Sequence, residues 1–445
     1  MSKWKLITGE DIYGKYDDFL LSEVSTEGNL LCVSDTLLAG SWQTGSFATV
    51  AVFKKDDWHR IPPNIHLIRA HKEKINDIRF SPYLPNLLST ASDDATIKLW
   101  NIPNELLDKD MEKEVQKYQG HSKRVIFTNF HPCSKDIIAS AGFDNSVHVW
   151  NIENAKKYFV CNINEMISSI DWNLNGNLIG AMTKNKNAVV FDVRNNKEIL
   201  KCKCHDSAKT QKMLFVDNDY FISTGFGSGS RELKLFDMRN YSSPVNTLKI
   251  DSQSGVMYPY YDYDNQVIYI PGKGENNVYF YTFMNGNISY LHNEFRMKSP
   301  PSAFCFDFKR NVNYKKNEMA KLYKYYNKVV DSTSFFIPRK NEGFDEVLYP
   351  DTFSGESALS GDEWASGVDK SQNKKTINLI NNVSNEFTIV RKSTEKIEQP
   401  LEEQVILLKD EIKSLNEKLK EKDEINDQLR KEVERLKDLL AKKNS

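Results

Sequence analysis

Two sets of residues in the first half of the chain carry groups that could perform nucleophilic catalysis. Each set combines a histidine, a hydroxyl, an aspartate and a tryptophan at the same spacings, and the members are His71, Thr90, Asp94 and Trp100, then His121, Ser140, Asp144 and Trp150. An imidazole, a carboxylate and a hydroxyl are the groups of an acyl-transfer triad. Two copies 50 residues apart indicate a repeated structural unit instead, since polar groups buried in a sheet need hydrogen-bond partners. We therefore predict that all eight residues are structural.

Two other stretches resemble ligand sites. Cys202, Cys204 and His205 place three soft metal ligands within four residues, but a structural zinc site needs four, and the sequence offers no second Cys/His pair at a usual spacing. The glycine-rich residues 225–229 resemble a phosphate-binding loop, but no helix with a Lys-Ser/Thr pair follows them. We therefore expect no metal, no cofactor and no catalytic residue, and we expect that the protein is not an enzyme.

The repeated unit extends over much of the chain. Aromatic residues that close an apolar strand recur at Phe191, Phe236 and Tyr281, at intervals of 41 to 45 residues after Trp150. An earlier closing strand fits residues 50–53, and residues 303–308 could supply a seventh. Such a period, with Gly-His openings, turn aspartates and closing tryptophans, is typical of the WD repeat. The sequence predicts an all-β, seven-bladed WD-repeat propeller whose last blade mixes strands from both ends of the chain.

Composition narrows the possible environments and partners. The chain has 445 residues, a net charge of −1, 40% hydrophobic residues and 11% aromatic residues, which suits a globular protein with a large core. So small a net charge does not favour nucleic acid as a partner. Six scattered cysteines, without a signal peptide or an apolar run of membrane-spanning length, predict a cytosolic protein with reduced thiols and no transmembrane segment.

Composition also divides the chain into four parts. We assign residues 1–310 to the propeller, 311–364 to a C-terminal extension packed on it, 365–400 to a flexible linker, and 401–445 to a coiled-coil oligomerisation helix. Within the extension, residues 317–330 are expected to form a short helix. The acidic, aromatic residues that follow are expected to lie against one face of the ring, because aromatic side chains need packing partners. The linker is polar with few aromatic residues, which favours disorder.

The last part of the chain keeps a heptad of apolar residues. Its seam positions are Leu401, Val405, Leu408, Ile412, Leu415, Leu419, Lys422, Asn426, Leu429, Val433, Leu436 and Leu440. Ten of these twelve residues are apolar, which predicts a coiled coil. Asn426 at an a position, with β-branched residues at other a positions and leucine at d, favours a parallel dimer. One asparagine biases the assembly without excluding a trimer or tetramer.

The order of these parts, together with several local motifs, resembles the coronin family of actin-filament regulators. The motifs, in chain order, are Gly120-His121-Ser122-Lys123-Arg124-Val125, Ala141-Gly142-Phe143-Asp144-Asn145, Asp171-Trp172-Asn173, Thr224-Gly225-Phe226, Ser254-Gly255-Val256, Ile268-Tyr269-Ile270-Pro271-Gly272-Lys273-Gly274, Pro338-Arg339-Lys340 and Leu348-Tyr349-Pro350-Asp351-Thr352. The resemblance covers essentially the whole chain, the linker least, and is to a short member with a single propeller.

The resemblance implies a set of activities. It implies binding of filamentous actin through the propeller and the coiled-coil end, oligomerisation through the coil, and no enzymatic activity. It also implies work with the Arp nucleating complex and with cofilin, in the cytoplasm, on the actin cytoskeleton of the cell cortex and of phagocytic cups. The expected function is cross-linking or bundling of cortical filaments in motility and phagocytosis.

Two features depart from the family pattern. Members commonly carry an arginine tied to filament binding just after a stretch that corresponds to Tyr16-Asp17-Asp18-Phe19, and this chain has Leu20 there. Nearby lysines, among them Lys15, differ from arginine in geometry. Many coronin coils also pair an arginine at g with a glutamate at e in a trimer motif, which this coil lacks.

We expect the filament contacts to be electrostatic and strengthened by avidity, because a coil that joins two heads makes the second contact intramolecular. The candidate contacts are Lys3, Lys5, Lys123 and Arg124 on the propeller and Lys431, Arg435, Lys437, Lys442 and Lys443 on the coil. A second class of function stays open, in which the ring is a WD-repeat scaffold or adaptor for non-actin clients in vesicle traffic or ubiquitin-ligase recruitment, since a fold alone does not specify a function.

Overall fold

A computed structural model of the full chain describes residues 6–22, 27–45, 48–207, 209–339 and 344–380. The chain divides into two compact units, residues 1–384 and 385–445, and all the described residues belong to the first. Within them, the backbone forms seven four-stranded antiparallel sheets and one two-stranded sheet. The predicted seam of the coiled coil lies outside the described residues.

The strand order begins with β1 (Thr8–Asp17), which belongs to the last of the seven sheets. Blade 1 contains β2 (Leu31–Val33), β3 (Leu37–Trp42), β4 (Ala48–Lys54) and β5 (Ile68–His71). Blade 2 contains β6 (Ile75–Phe80), β7 (Leu87–Ser92), β8 (Thr96–Asn101) and β9 (Gln116–Gln119). Blade 3 contains β10 (Val125–Phe130), β11 (Ile137–Gly142), β12 (Ser146–Asn151) and β13 (Lys157–Asn162).

The next three blades follow the same order. Blade 4 contains β14 (Ile167–Trp172), β15 (Leu178–Thr183), β16 (Asn187–Asp192) and β17 (Lys197–Lys203). Blade 5 contains β18 (Lys212–Phe215), β19 (Tyr220–Phe226), β20 (Arg231–Asp237) and β21 (Asn246–Lys249). Blade 6 contains β22 (Tyr260–Asp262), β23 (Val267–Pro271), β24 (Asn277–Met284) and β25 (Asn287–Arg296).

Blade 7 joins the two ends of the ring. It contains β26 (Ala303–Phe306), β27 (Glu318–Tyr326) and β28 (Val329–Phe336), and β1 pairs antiparallel with β28 as its outermost strand. Short 3-10 turns at Lys309–Asn311 and Tyr314–Lys316 connect β26 to β27. The seven-bladed propeller and its mixed last blade are therefore confirmed.

The strands are buried along their whole length where two blades cover them. Every residue of β11 and of β12 is buried, because the neighbouring blades pack on both faces of the sheet. Polar residues such as Ser140 and His148 are therefore enclosed with the apolar ones and need hydrogen-bond partners inside the ring. The outer strand β17 exposes five of its seven residues, so the core of the ring lies in the first three strands of each blade.

The predicted helix over residues 317–330 is wrong. These residues form most of the hairpin β27–β28, which turns at Asn327 and Lys328, both with positive φ. Two successive residues with positive φ match a tight hairpin turn, and the tyrosines and β-branched residues beside it favour strands. The blade also extends past residue 310, the predicted end of the ring, and residues 303–308 supply its innermost strand instead of a closing strand.

The innermost strands of the blades define two faces of the ring. These strands are β2, β6, β10, β14, β18, β22 and β26, each the first strand of its sheet or, in blade 7, the strand at the opposite edge from β1. We call the face at which they begin the first face and the face at which they end the second face. Loops that enter these strands, and turns between the second and third strands, lie on the first face.

The acidic, aromatic arm, residues 344–380, crosses the second face. It contains β29 (Thr352–Phe353), α1 (Gly361–Ala365), β30 (Lys374–Lys375) and α2 (Ile377–Ile380), and β29 pairs with β30. The arm is fastened along its length, since Tyr349 donates a hydrogen bond to the Glu318 carbonyl and Phe353 packs edge-on against Tyr83.

The first part of the predicted linker also belongs to the arm. Ile377 is 1% exposed and lies in an apolar cluster with Phe335 and Leu348, so residues 365–380 are ordered on the ring and the predicted flexibility is wrong there. The remainder of that linker lies outside the described residues. In the part of the chain that the structure describes, none of the helices has the length and apolar character needed to cross a membrane.

Candidate functional site

The first of the two predicted sets is assembled around one buried hydroxyl. His71 Nε2 lies 2.7 Å from Thr90 Oγ1, and Trp100 Nε1 donates a hydrogen bond to the same oxygen over 3.0 Å. His71 Nδ1 lies 2.8 Å from a carboxylate oxygen of Asp94. An ionised carboxylate can only accept, so the histidine proton lies on Nδ1, the nitrogen that faces Asp94. In the neutral ring Nε2 then accepts from the Thr90 hydroxyl, whose oxygen in turn accepts from the Trp100 indole.

The second set repeats this arrangement in the next blade. His121 Nε2 lies 2.8 Å from Ser140 Oγ, Trp150 Nε1 donates to that oxygen over 2.9 Å, and His121 Nδ1 lies 2.9 Å from Asp144. Both hydroxyl residues, Thr90 and Ser140, are 0% exposed. A substrate could not reach either oxygen, so neither network leaves an accessible nucleophile. Each network instead ties the end of one blade to the second and third strands of the next, since His71 ends β5 of blade 1 and His121 lies between β9 and β10.

The carboxylates of these networks are held in their charged form. Burial raises the pKa of Asp94, but hydrogen bonds from His71 and Thr96 outweigh this and lower its pKa to about 2. The pKa of Asp144 is also lowered, because hydrogen bonds from His121 and Ser146 again outweigh burial. Each carboxylate therefore makes charge-assisted hydrogen bonds throughout the physiological pH range.

Two members of the second network, together with His148, are residues of the kinds that bind metal ions. The ligand atoms of His121, Asp144 and His148 lie within 4.8 Å of one another. The two imidazole rings are stacked, with centroids 3.9 Å apart and planes 11° apart. An imidazole binds a metal along a lone pair in its own ring plane, and two parallel stacked rings cannot both point at one ion. The geometry therefore does not fit a metal site.

Of the predicted filament contacts, the structure describes two. Lys123 and Arg124 are exposed and lie on the first face, in the loop that enters β10. The guanidinium of Arg124 lies 3.6 Å from the ring centroid of Phe143, so this side chain has a packing role of its own. The remaining candidates lie outside the described residues, namely Lys3, Lys5, Lys431, Arg435, Lys437, Lys442 and Lys443.

Lys123 and Arg124 have basic neighbours on the same face. Exposed lysines and arginines also stand in the loops that enter other innermost strands and in the turn of blade 7, at Lys72, Lys74, Lys209, Lys298 and Lys328. Exposed acidic residues in the same loops are Glu73 and Asp206. The first face thus presents basic loops from several blades, which favours an acidic partner surface.

The sequence interpretation missed these additional basic residues. Apart from Lys72 and Lys74, which flank Glu73, they stand at least 30 residues from one another in the chain, so no extended local charge cluster marks them. The blade period does carry the signal, because the residues just before each innermost strand must reach the same face of a closed ring.

The structure also describes Leu20, which occupies the position of the expected arginine. Leu20 is half-buried and packs against the apolar cluster of blade 1. Lys15, a proposed substitute for the lost charge, pairs with Asp17 over 2.9 Å, and Arg60 pairs with Asp18 over 2.7 Å. Both nearby cations thus stand beside acidic partners, although such exposed pairs are weak.

The mouth of the central channel on the first face holds a short inward segment, residues 27–29. Lys212 Nζ donates to the Glu27 carbonyl over 2.8 Å and to the Ser168 carbonyl over 3.0 Å. Asn29 N–H donates to Asp77 Oδ1 over 2.8 Å. Burial lowers the pKa of Lys212 to about 7, so this lysine is a structural donor within the channel and not a surface charge.

The second face has the opposite character. The arm that covers it contains seven acidic and three basic residues between positions 344 and 380. Trp364 of the arm is 0% exposed and is surrounded by His131, Trp172 and Phe159 of blades 3 and 4. The arm therefore occupies a large apolar surface of this face and adds negative charge to it.

The sheets and the two histidine networks define the class of protein, a WD-repeat β-propeller. The pattern of the WD domain, G-beta repeat, matches residues 63–101 and 112–151, which cover blade 2 and most of blade 3. A further type of WD40 repeat matches residues 330–372, which include β28 and much of the arm.

The chain belongs to the coronin family. It is 37% identical over 371 residues to Coronin-A from Dictyostelium discoideum, and the match covers 82% of each protein. It is 28% identical to the Coronin-like protein crn1 of Schizosaccharomyces pombe, of whose length it spans 63%. The crystal structure of the WD40 domain from Toxoplasma gondii coronin superposes with a TM-score of 0.81 at 28% identity, covering 84% of this chain and 97% of that one.

Proposed function

We propose that this protein binds filamentous actin and regulates the organisation of the cortical actin cytoskeleton. Membership of the coronin family supports an actin-related role. One structural observation supports the binding mode, namely that exposed basic residues from several blades share the first face, whereas an acidic arm covers the second. An acidic filament surface would be attracted to the first face and repelled by the second.

The proposed contact is electrostatic and weak for a single head. Lys72, Lys74 and Lys123 are exposed on loops of the first face, and each exposed ion pair contributes about 0.2 to 1 kcal/mol. Several such pairs, added over one face, give binding that weakens as salt rises. Arg124 contributes as well, but its contact with Phe143 means that its replacement would also alter packing.

Avidity completes the proposed mechanism. If the predicted coil joins two heads as a parallel dimer, the second contact with a filament becomes intramolecular, and binding strengthens by about 100-fold. The same geometry would cross-link or bundle filaments. The basic coil residues Lys431, Arg435 and Lys437 are proposed to add a second contact. Action with the Arp nucleating complex and cofilin, at the cell cortex and in phagocytic cups, belongs to the same proposal.

Charge reversal combined with co-sedimentation tests this function. The full-length protein is expected to pellet with filamentous actin, less so as salt rises, and Lys123→Glu is expected to bind about 3-fold to 10-fold more weakly. The matched control is Lys197→Glu, which makes the same charge change at the exposed first residue of β17, on the second face, and should bind like the parent protein. Leu408→Glu with Leu415→Glu in the predicted seam should weaken pelleting by about 10-fold or more if avidity operates.

Each alternative outcome has a definite meaning. A full-length protein that stays in the supernatant with actin at low salt contradicts the proposal and favours the scaffold for non-actin clients. Equal losses for Lys123→Glu and Lys197→Glu would refute the first face as the contact. Unchanged pelleting of the seam variant would refute the avidity mechanism alone.

A further inference from the structure

A cavity of about 370 Å³ opens on the second face, away from the basic loops of the first. Its walls come from the ends of the innermost strands of blades 3 and 4, from loops of blades 5 and 6, and from the arm at Ser371, Gln372 and Lys374. This volume is in the range of pockets that enclose small ligands. The arm therefore forms one wall of the cavity while leaving it accessible.

The lining is rich in amides and aromatic rings. Side-chain amides come from Asn129, Asn173, Asn175 and Asn218. The Asn173 amide is engaged within the protein, because its nitrogen donates to Asn177 Oδ1 and Asn218 Oδ1 and its oxygen accepts from the Leu178 N–H, so the polar groups for a ligand come from the other three. Aromatic rings come from Phe130, Trp172 and Tyr263. Amides complement peptide groups, and aromatic rings attract cations and accommodate the aliphatic part of long side chains.

Asp171 supplies the one carboxylate among the lining residues. Its Oδ2 accepts a hydrogen bond from the Phe215 N–H over 2.9 Å, and its Oδ1 has the Asn129 amide at 3.5 Å, the outer limit for a hydrogen bond. A carboxylate offers about four acceptor positions, so this one retains capacity for a further donor. Burial raises the pKa of Asp171 to about 7, although the Phe215 hydrogen bond and the charge of Arg79 lower it.

Nearby cations do not satisfy this carboxylate because they have acidic partners of their own. Arg79 Nε lies 3.2 Å from Asp77 Oδ2, and Lys374 Nζ lies 2.8 Å from Asp264 Oδ1. Tyr263 donates its hydroxyl hydrogen to the Phe215 carbonyl over 2.8 Å. An incoming cation would therefore meet a carboxylate that favours a positive hydrogen-bond donor, beside rings and amides that can hold the rest of its residue.

We propose that this cavity binds the cationic side chain of a basic peptide, with its guanidinium or ammonium group on Asp171. The aliphatic stem of the side chain lies along Trp172 and Phe130, and the amides of Asn175 and Asn218 hold the adjoining peptide groups. This site is separate from the proposed actin contact, because it lies on the opposite face and recognises positive instead of negative charge. It gives the protein a second interaction surface, for a partner with an exposed arginine or lysine.

Titration calorimetry on the full-length protein tests this proposal with small probes. N-acetyl-arginine amide is expected to bind at one site per chain. N-acetyl-citrulline amide, its neutral isostere, is expected to bind at least about 10-fold more weakly, because hydrogen bonds between charged groups are stronger than those of a neutral donor. Binding should also weaken by about 10-fold or more between pH 8 and pH 5.5, because protonation of Asp171 removes the charge that attracts the probe.

Variants locate the site. Asp171→Asn keeps an acceptor for the Phe215 N–H and should lower the affinity for the arginine probe by at least about 10-fold. The control, Asp217→Asn, removes a neighbouring exposed charge outside the lining and should bind like the parent protein. If Asp171→Asn fails to fold, the citrulline comparison and the pH dependence decide the question on the parent protein.

Several results would overturn the proposal. These are no saturable binding of the arginine probe, equal binding of the citrulline probe, or an affinity that Asp171→Asn leaves unchanged. Equal binding of methylguanidine and the arginine probe would show that the amides do not hold a peptide, which removes the peptide from the proposal. None of these results bears on actin co-sedimentation, so the two proposals fail independently.

Discussion

Replacement of Trp364 by alanine should release the arm from the second face. This side chain is 0% exposed and has ring centroids of His131 and Phe159 at 5.0 and 5.7 Å. Its Nε1 donates to the Gly176 carbonyl over 3.0 Å. A buried tryptophan removes about 200 Å² from water, which at about 25 cal/mol per Å² gives an upper limit of about 5 kcal/mol. Core Trp→Ala replacements cost about 3 to 5 kcal/mol.

The arm can open while the ring stays folded, so the effect should be measured locally. The Ala358 N–H donates to the Cys133 carbonyl over 2.9 Å and reports arm docking in amide hydrogen exchange. A loss of 3 kcal/mol or more corresponds to about 100-fold faster exchange. The matched control is Leu379→Ala, a 63% exposed apolar residue of the arm, which should change stability by less than about 0.5 kcal/mol.

A second variant separates packing from hydrogen bonding. Trp364→Phe keeps an aromatic ring but removes the N–H, and the Gly176 carbonyl still has His131 Nε2 at 2.9 Å as a partner. We therefore expect a smaller loss for phenylalanine than for alanine. Less than 10-fold faster exchange at Ala358 in Trp364→Ala would refute the conclusion that this side chain fastens the arm.

Two further predictions concern stability. Lys324 is 0% exposed, donates to Asp11 over 2.8 Å and has Asp331 as a second carboxylate partner at 2.7 Å. Asp11→Asn removes one of these charged partners and should lower the free energy of unfolding by about 1 to 3 kcal/mol in denaturant titration. An unchanged midpoint would contradict a role of Asp11 in closing blade 7. Burial lowers the pKa of His131 to about 3, so between about pH 6.5 and pH 3 this histidine is protonated in the unfolded chain but not in the folded one. The free energy of unfolding should therefore fall as the pH falls through this range, by up to about 1.4 kcal/mol per pH unit. His131→Gln should flatten this slope, and an equal slope in both proteins would contradict the prediction.

The blade period was readable because it comes from residues that tie one blade to the next. His71 ends blade 1, and the strand lengths and turns of blade 2 set the spacings from it to Thr90, Asp94 and Trp100, which the structure places with it in one network. The helix over residues 317–330 was wrong because short apolar runs suit both helices and strands. Pairing with β1, more than 300 residues away, decides between them.

The ring and the family could be inferred from local patterns alone, because closing seven similar sheets requires patterns that repeat along the chain. Which loops share a face could not be inferred in this way, since it depends on how the ring closes. Lys72, Lys123 and Lys328 come together on the first face because ring closure converts a repeat along the chain into positions around a circle. Likewise, Asp171 and Lys374 line one cavity because the arm folds back across the second face, and this return depends on long-range burial of Trp364 that no local pattern encodes.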